Sequence, residues 1–150
     1  MKSFRVTVAT VVADQGRFLM VEERDKQSLQ MVYNQPAGHL ESGESIIEGA
    51  IRETLEETGF VVTPNGVLSV GLYKPKGRPD TYCRITLSAA VTEHISNAEI
   101  DADIHRVLWM SREQLETESD KLRSPMVLDS IRRYQGGHLY PLSMLGHYES

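Results

Sequence analysis

The sequence is poor in several features that mark large classes of proteins. It has one cysteine, Cys83, among 150 residues, which excludes an intramolecular disulfide and a cysteine-based zinc cluster and favours a reducing compartment. No apolar run approaches the roughly 18 residues that a membrane-spanning helix needs. The 16 Lys and Arg residues are outnumbered by 21 Asp and Glu, and the net charge of −5 argues against a surface that coats nucleic acid. We therefore expect a cytoplasmic protein that binds neither membranes nor nucleic acid.

The length and composition suit one domain over residues 1–150. Hydrophobic residues make up 40% of the chain, which is enough to build a core, and no repeat or linker interrupts the sequence. The apolar N-terminal stretch is broken by Asp14-Gln15-Gly16 without a small-residue cleavage pattern, so it fits a strand better than a secretion signal.

Short strands separated by turns are the main pattern of the chain. Alternating and β-branched segments predict strands over 4–13, 18–23, 31–35, 67–73, 81–92 and 105–110. We expect the fourth of these strands to begin only after Pro64-Asn65-Gly66, because such residues are typical of a break. Strands that follow one another closely, with few helices between them, predict a mixed α/β protein and not a doubly wound sheet.

Three helices are expected between and after the strands. The clearest lies between Ser45 and Thr58, where Ser45 and Glu48 form a capping-box pattern and Gly59 provides a left-handed stop. A brief helix should follow Ser111. A longer one should run from Ser124-Pro125 to Gly136-Gly137.

The first long helix carries three acidic residues in an unfavourable place. At about 100° per residue, Glu53, Glu56 and Glu57 share one face, where like charges at i,i+4 repel and the helix dipole disfavours anions in the last turn. One interpretation is a solvated surface, since glutamate is a good helix former. A second face should pack on the sheet, and it holds Ile47, Ala50, Ile51, Thr54 and Leu55.

The loop before this helix favours a cation site instead. Residues 35–44 are rich in glycine and turn-forming residues, and they can bring backbone carbonyls and Glu44 back over the acidic face. Every candidate ligand atom in this loop and helix is a hard oxygen, which suits Mg²⁺ or Mn²⁺ and not zinc. Arg52 can pair with Glu44 or Glu53 and hold this geometry.

At these residues the chain resembles the Nudix hydrolase family. The family pattern is Gly, five residues, Glu, seven residues, then Arg-Glu-x-x-Glu-Glu-x-Gly and an aliphatic or aromatic residue, which residues 38–60 match at eight fixed positions. Thr54 departs from it, because an aliphatic residue is usual there. The resemblance implies an α/β/α sandwich around a mixed β-sheet, and Mg²⁺-dependent hydrolysis of a diphosphate linkage.

The resemblance also implies roles for individual residues. Glu53, Glu56 and Glu57 would bind the metal with the Gly38 carbonyl, while Arg52 and Glu44 would orient them. Glu57 is one candidate for the group that activates the attacking water. An acid on a later loop is the other candidate, with Asp103 favoured over Glu99 and Asp101.

Residues outside the motif are candidates for substrate binding, each with a simpler alternative. Lys74 and Arg78, with Lys76, can meet substrate phosphates, although solvated charges at a hairpin tip are common. Tyr33 can stack on a base, or it can be a half-buried strand tyrosine.

Over nearly its full length the chain resembles one branch of the family, through segments such as Asn34-Gln35-Pro36-Ala37-Gly38 and Arg123-Ser124-Pro125. That branch implies substrates such as nucleoside tri- and diphosphates and a thiamin-precursor pyrimidine pyrophosphate, with release of phosphate. Two alternatives stay open at this point: hydrolysis of ADP-ribose or another nucleoside-diphosphate sugar, and a nucleotide-binding sensor without turnover. The oligomeric state is open between a monomer and a homodimer.

Overall fold

Seven strands and three α-helices make up residues 3–150, the part of the chain that the computed structural model describes. The strands are β1 Phe4–Asp14, β2 Arg17–Arg24, β3 Met31–Asn34, β4 Ala37–His39, β5 Phe60–Tyr73, β6 Thr81–His94 and β7 Ile104–Ser111. The helices are α1 Ile46–Thr58, α2 Arg112–Thr117 and α3 Met126–Gln135, with single 3₁₀ turns at Ser119–Lys121 and Leu142–Met144. No helix in the described range is both long and apolar enough to cross a membrane.

β1 is the central strand of the sheet. It runs parallel to β6, from Phe4 opposite Thr81 to Val12 opposite Ala89, and β6 pairs in turn with antiparallel β5. On its other side β1 pairs with the short antiparallel strand β4. The end of β1 turns into β2, which is flanked by β3 and β7 in antiparallel order. The sheet is therefore mixed, as the resemblance implied.

The helices cover opposite faces of this sheet. Val8 of β1 packs in one cluster with Ala50 of α1, whereas Val11 of the same strand packs in another with Val127 and Ile131 of α3. Side chains of a regular strand alternate between its two faces, so these residues, three positions apart, place α1 and α3 on opposite sides. The predicted α/β/α arrangement is confirmed.

The ends of α1 form as predicted, and the predicted packing face is confirmed in part, since Ala50 and Thr54 are buried and Ile47 packs against the core. The Ser45 hydroxyl accepts from the Glu48 N–H and the Glu48 carboxylate accepts from the Ser45 N–H, while Gly59 stops the helix at φ 77°. The residues buried against the sheet and the loop are Gly49, Ala50, Thr54, Glu57 and Thr58, whereas Ile47, Ile51 and Leu55 are only half-buried. A polar contact between Thr54 and Thr10 of β1 forms part of this packing.

The prediction that β5 begins at Val67 is wrong. The strand runs without interruption from Phe60, and irregular pairing with β6 between Pro64 and Gly66 accommodates the residues expected to break it. The chain after α3 folds back along this strand. Tyr140 exchanges two backbone hydrogen bonds with Val67, of 2.8 and 2.9 Å, and Leu139 lies over Gly66, where a β-carbon would collide with it.

Candidate active site

Arg52 connects the loop after β4 to the acidic face of α1. Its Nε donates to Glu44 Oε2 at 2.9 Å and its Nη2 to Glu44 Oε1 at 2.7 Å, which is the two-pronged contact that a guanidinium makes with a carboxylate. Its Nη1 also donates to Glu53 at 2.9 Å and to Glu56 at 3.1 Å. These hydrogen bonds, with Glu44 the largest cause, raise the pKa of Arg52 above its ordinary value. The predicted partners of Arg52 are therefore brought together.

Gly38 lies directly beneath the carboxylate of Glu53. A β-carbon built on Gly38 would collide with the Glu53 carboxyl group. The strand that contains Gly38 is held to β1 by pairing of Gly38 with Val8, so its backbone approaches α1 at a fixed position. The structure thus places Gly38 and Glu53 side by side, as the interpretation of the loop required.

Glu57 is the most buried of the three helix glutamates, with 7% of its surface exposed. Its Oε1 accepts a hydrogen bond of 2.9 Å from the Ala37 N–H, next to Gly38. Burial outweighs this bond and, together with the nearby carboxylates, raises the pKa of Glu57 to about 9. A buried carboxyl group with acidic neighbours is an environment in which a cation is favourable.

A fourth acid, Asp101, joins the glutamates of the helix. Carboxylate oxygens of Glu53, Glu56 and Asp101 all lie within 4.8 Å of one another. The Asp101 N–H donates to the Glu56 carbonyl oxygen at 3.0 Å, which ties the β6–β7 loop to the last turn of α1. Partial desolvation is the first cause that raises the pKa of both Glu53 and Asp101, and the proximity of like charges adds to it.

The neighbouring acid that sequence analysis favoured is placed differently. The side chain of Asp103 is 77% exposed, and its Oδ2 lies 3.9 Å from Lys26 Nζ. The cluster of carboxylate oxygens within 4.8 Å therefore contains Asp101 and not Asp103. A role of Asp103 in activating water stays a prediction.

The donor set fits a hard divalent cation. Every side chain that converges is a carboxylate, and neither sulfur nor imidazole belongs to the cluster among residues 3–150. Arg52 donates to Glu53 and Glu56 through Nη1 alone, since its other two nitrogens bind Glu44. A divalent ion would supply the positive charge that these carboxylates need when ionised.

The predicted substrate-binding residues lie outside this cluster. Tyr33 is 7% exposed and packs in the core cluster beneath α3, with its hydroxyl 3.3 Å from Arg106 Nη2. Arg78 pairs with Asp80 at 3.3 Å and lies over the Tyr82 ring, and Lys74 is exposed before the β5–β6 turn. Contact of these three residues with a substrate stays a prediction.

Two residues near the site carried no motif signal. Asp101 was a secondary candidate, because loop closure over the helix cannot be deduced from spacing. Arg84 was missed altogether. One signal could have found it. Arg84 is the one charged residue from Tyr82 to Thr92, in a strand whose centre is buried.

Comparison with known proteins agrees with this geometry. Residues 2–129 match the model of the NUDIX domain. The chain is 38% identical over 144 residues to phosphatase NudJ of Escherichia coli K12, covering 95% of this chain and 91% of the relative. It is 36% identical to the solved structure of a NUDIX hydrolase from Nitrosomonas europaea, with a TM-score of 0.92 and coverage of 96% and 97%. A UDP-X diphosphatase structure, 17% identical with a TM-score of 0.71 over 91% of this chain and 65% of that one, shares the fold.

Proposed function

The chain belongs to the Nudix hydrolase family and is a pyrophosphohydrolase, and we propose that it hydrolyses nucleoside tri- and diphosphates with Mg²⁺ and releases phosphate. The likeness to phosphatase NudJ over 95% of the chain supports the release of phosphate. The sequence resemblance to this branch of the family is the reason for proposing these substrates and the thiamin-precursor pyrimidine pyrophosphate. A single cysteine supports a reducing location, which we propose is the cytoplasm.

The observation that carries the proposal is the convergence of Glu53, Glu56 and Asp101 beside the buried Glu57. These four carboxylates, with the Gly38 carbonyl, are the groups we propose to hold the metal. When bound, Mg²⁺ would neutralise charge on the phosphate oxygens and increase the acidity of an attacking water. Mn²⁺ has the same ligand preference and can replace it.

The side chains around the cluster keep these carboxylates in position. Arg52 fixes Glu53 and Glu56 through one nitrogen and is itself held by the two oxygens of Glu44. The Ala37 N–H orients Glu57. Such supporting contacts commonly change activity by about 10- to 100-fold when they are removed. We propose that Glu57 orients the attacking water in addition to its part in binding the metal.

A substrate panel with and without Mg²⁺ tests the proposal. It contains nucleoside tri- and diphosphates, the pyrimidine pyrophosphate and ADP-ribose, and both phosphate and pyrophosphate release are measured. We expect metal-dependent phosphate release from the first three groups. Turnover of ADP-ribose alone would be consistent with the proposed metal site but would contradict the proposed substrates. Tight nucleotide binding without any turnover would contradict the proposal in favour of a sensor.

Replacement of Glu57 tests the site itself. We expect Glu57→Gln to lower kcat by at least about 100-fold, because an amide cannot replace the carboxylate that we propose binds the metal and orients the attacking water. Glu93→Gln is the matched control, because Glu93 is an exposed β6 residue and its loss should leave kcat unchanged. A Glu57→Gln enzyme that folds and keeps most of its activity would contradict the assigned role.

A further inference from the structure

Arg84 is a buried cation without a carboxylate partner. It lies on β6 with 5% of its surface exposed. Across residues 3–150, no carboxylate oxygen lies within 4.0 Å of its nitrogens, although ten other basic side chains of the described chain have such a partner. A buried guanidinium in this state is costly, because neither water nor an opposite charge compensates for its charge.

Neutral groups satisfy only part of the guanidinium. Nη1 donates to Asn34 Oδ1 at 3.2 Å and Nη2 donates to Gln35 Oε1 at 2.6 Å. Nε is the one buried side-chain nitrogen or oxygen in residues 3–150 that has no hydrogen-bond partner. Both amide partners are buried as well, so the arrangement is fixed from two sides.

The position of this group links it to the candidate active site. Gln35, which accepts from Arg84, lies two residues before Ala37, whose N–H donates to Glu57. The same short segment of chain therefore holds both the buried arginine and the buried glutamate. Desolvation lowers the pKa of Arg84 to about 10, with Glu57 and Glu23 opposing this effect through space.

The neighbouring charges do not neutralise Arg84. Glu23 is engaged with Arg123 at 2.8 Å, and Glu57 is engaged with the Ala37 N–H. The fold thus maintains a planar, buried cation whose Nε–H has no partner among the described residues, and one short chain segment connects it to the carboxylate of Glu57. Planar guanidinium groups match the geometry of phosphate oxygens.

We propose that Arg84, held by Asn34 and Gln35, binds a phosphate oxygen of the substrate beside the acidic cluster. This inference rests on the proposed function, since it supplies the phosphate-binding subsite for that reaction. It makes Arg84 a binding residue and makes Asn34 and Gln35 positioning residues.

Asn34→Asp is the sharpest test because it adds a carboxylate where Arg84 already has a partner. The new carboxylate should compete with a substrate phosphate for Arg84. It should also preserve or strengthen the contact between residue 34 and Arg84, so a purely structural Arg84 would not be disturbed. We expect KM for a nucleoside diphosphate to rise about tenfold or more, with a smaller change in kcat. Inorganic phosphate should raise the thermal midpoint of the wild type, with or without Mg²⁺, and this shift should be lost in the variant.

Asn65→Asp is the matched control, because it makes the same charge change at an exposed position of β5. It should retain both KM and the response to phosphate. Arg84→Lys provides a second variant that keeps the charge but loses the planar fork, and its response to phosphate should also fall. An Asn34→Asp protein with unchanged KM and an unchanged phosphate shift would overturn the inference. An Arg84→Lys protein that is only less stable, with a full phosphate shift, would also overturn it.

The outcomes separate this inference from the proposed function. Metal-dependent nucleotide hydrolysis that Asn34→Asp leaves intact would support the function and overturn the Arg84 subsite. A phosphate response that depends on Arg84, in a protein that turns over only ADP-ribose, would support the subsite and contradict the proposed substrates. A wild type without any phosphate response would overturn the subsite directly.

Discussion

Gly38 matters to the site because it lacks a side chain. The Glu53 carboxylate occupies the space that a β-carbon would need. We expect Gly38→Ala to displace this carboxylate and lower kcat/KM by about 10- to 100-fold, as removal of metal-site support commonly does. Stability should change little, since the displaced atoms are at the end of a flexible side chain. Steady-state kinetics and thermal unfolding would measure the two effects.

Gly71→Ala is the control for this prediction. Gly71 is a strand residue with nothing near its missing β-carbon, so an added methyl group meets open space. Activity of this variant should equal that of the wild type. Equal activity of Gly38→Ala and Gly71→Ala would contradict the close approach of the loop to Glu53.

Single residues differ in how far the sequence reveals their place. Helical spacing alone put Glu53, Glu56 and Glu57 on one face, because that geometry is local. Asp101 joins them only through closure of the β6–β7 loop over α1, a contact between distant segments. Sequence periodicity contains no information about such closure, so it cannot show that Asp101, and not Asp103, joins the cluster.

At the scale of elements, Thr54 explains how α1 is fixed to the sheet. This residue departs from the family pattern, and its hydroxyl lies 2.8 Å from the Thr10 hydroxyl of β1 and 2.7 Å from the Ala50 carbonyl. The two threonines form a buried polar contact where an aliphatic residue is usual. The departure is therefore matched by a partner on the strand, which the motif alone cannot show.

We expect Thr54→Val to lower the free energy of unfolding by about 1–2 kcal/mol, because Thr10 is left with an unsatisfied buried hydroxyl. The Thr10→Val/Thr54→Val double variant should recover part of this loss, since both polar groups are then removed. Urea unfolding measures each value. Thr117→Val controls for loss of the same i−4 bond at an exposed site and should have a small effect. A double variant whose loss of stability equals the sum of the losses in Thr10→Val and Thr54→Val would contradict the pairing.

β5 shows why element boundaries are harder to predict than element types. Pro64, Asn65 and Gly66 are turn formers, yet β6 and the returning C-terminal segment hold them in a strand. Gly66 serves there to admit Leu139, and not to end the strand. Long-range packing thus overrides the local turn signal of these three residues.

At the scale of the whole molecule, the loop–helix ion pair contributes to stability against acid. Hydrogen bonds from Arg52 are the main reason that the pKa of Glu44 lies below its ordinary value of 4.5. A lowered carboxyl pKa stabilises the fold above the unfolded-state value, and this contribution is lost as pH falls through the folded-state pKa. The pair should therefore weaken as the solution is acidified below about pH 4.5.

We expect Glu44→Gln to lower the free energy of unfolding by about 1–2 kcal/mol at pH 7 and to flatten its decline below pH 4.5. Denaturant titrations between pH 3 and 7 would measure both effects. Glu116→Gln is the control, since its pair with Arg112 is solvent-exposed and contributes little. If the free energy of unfolding of Glu44→Gln declines below pH 4.5 as steeply as that of the wild type, the stabilising role of the pair is contradicted.

The parallel pairing of β1 with β6 has a consequence for how the chain folds. The centre of the sheet forms only when Phe4 pairs with Thr81 and Val12 pairs with Ala89, which lie more than 70 positions further along the chain. Pairings between such distant segments delay folding, because the intervening chain loses entropy before the contacts form. During synthesis, α1 leaves the ribosome before β6, the strand that completes the sheet beneath this helix. Asp101 follows after β6. The carboxylates therefore gather into one cluster only late in folding, after most of the chain is made.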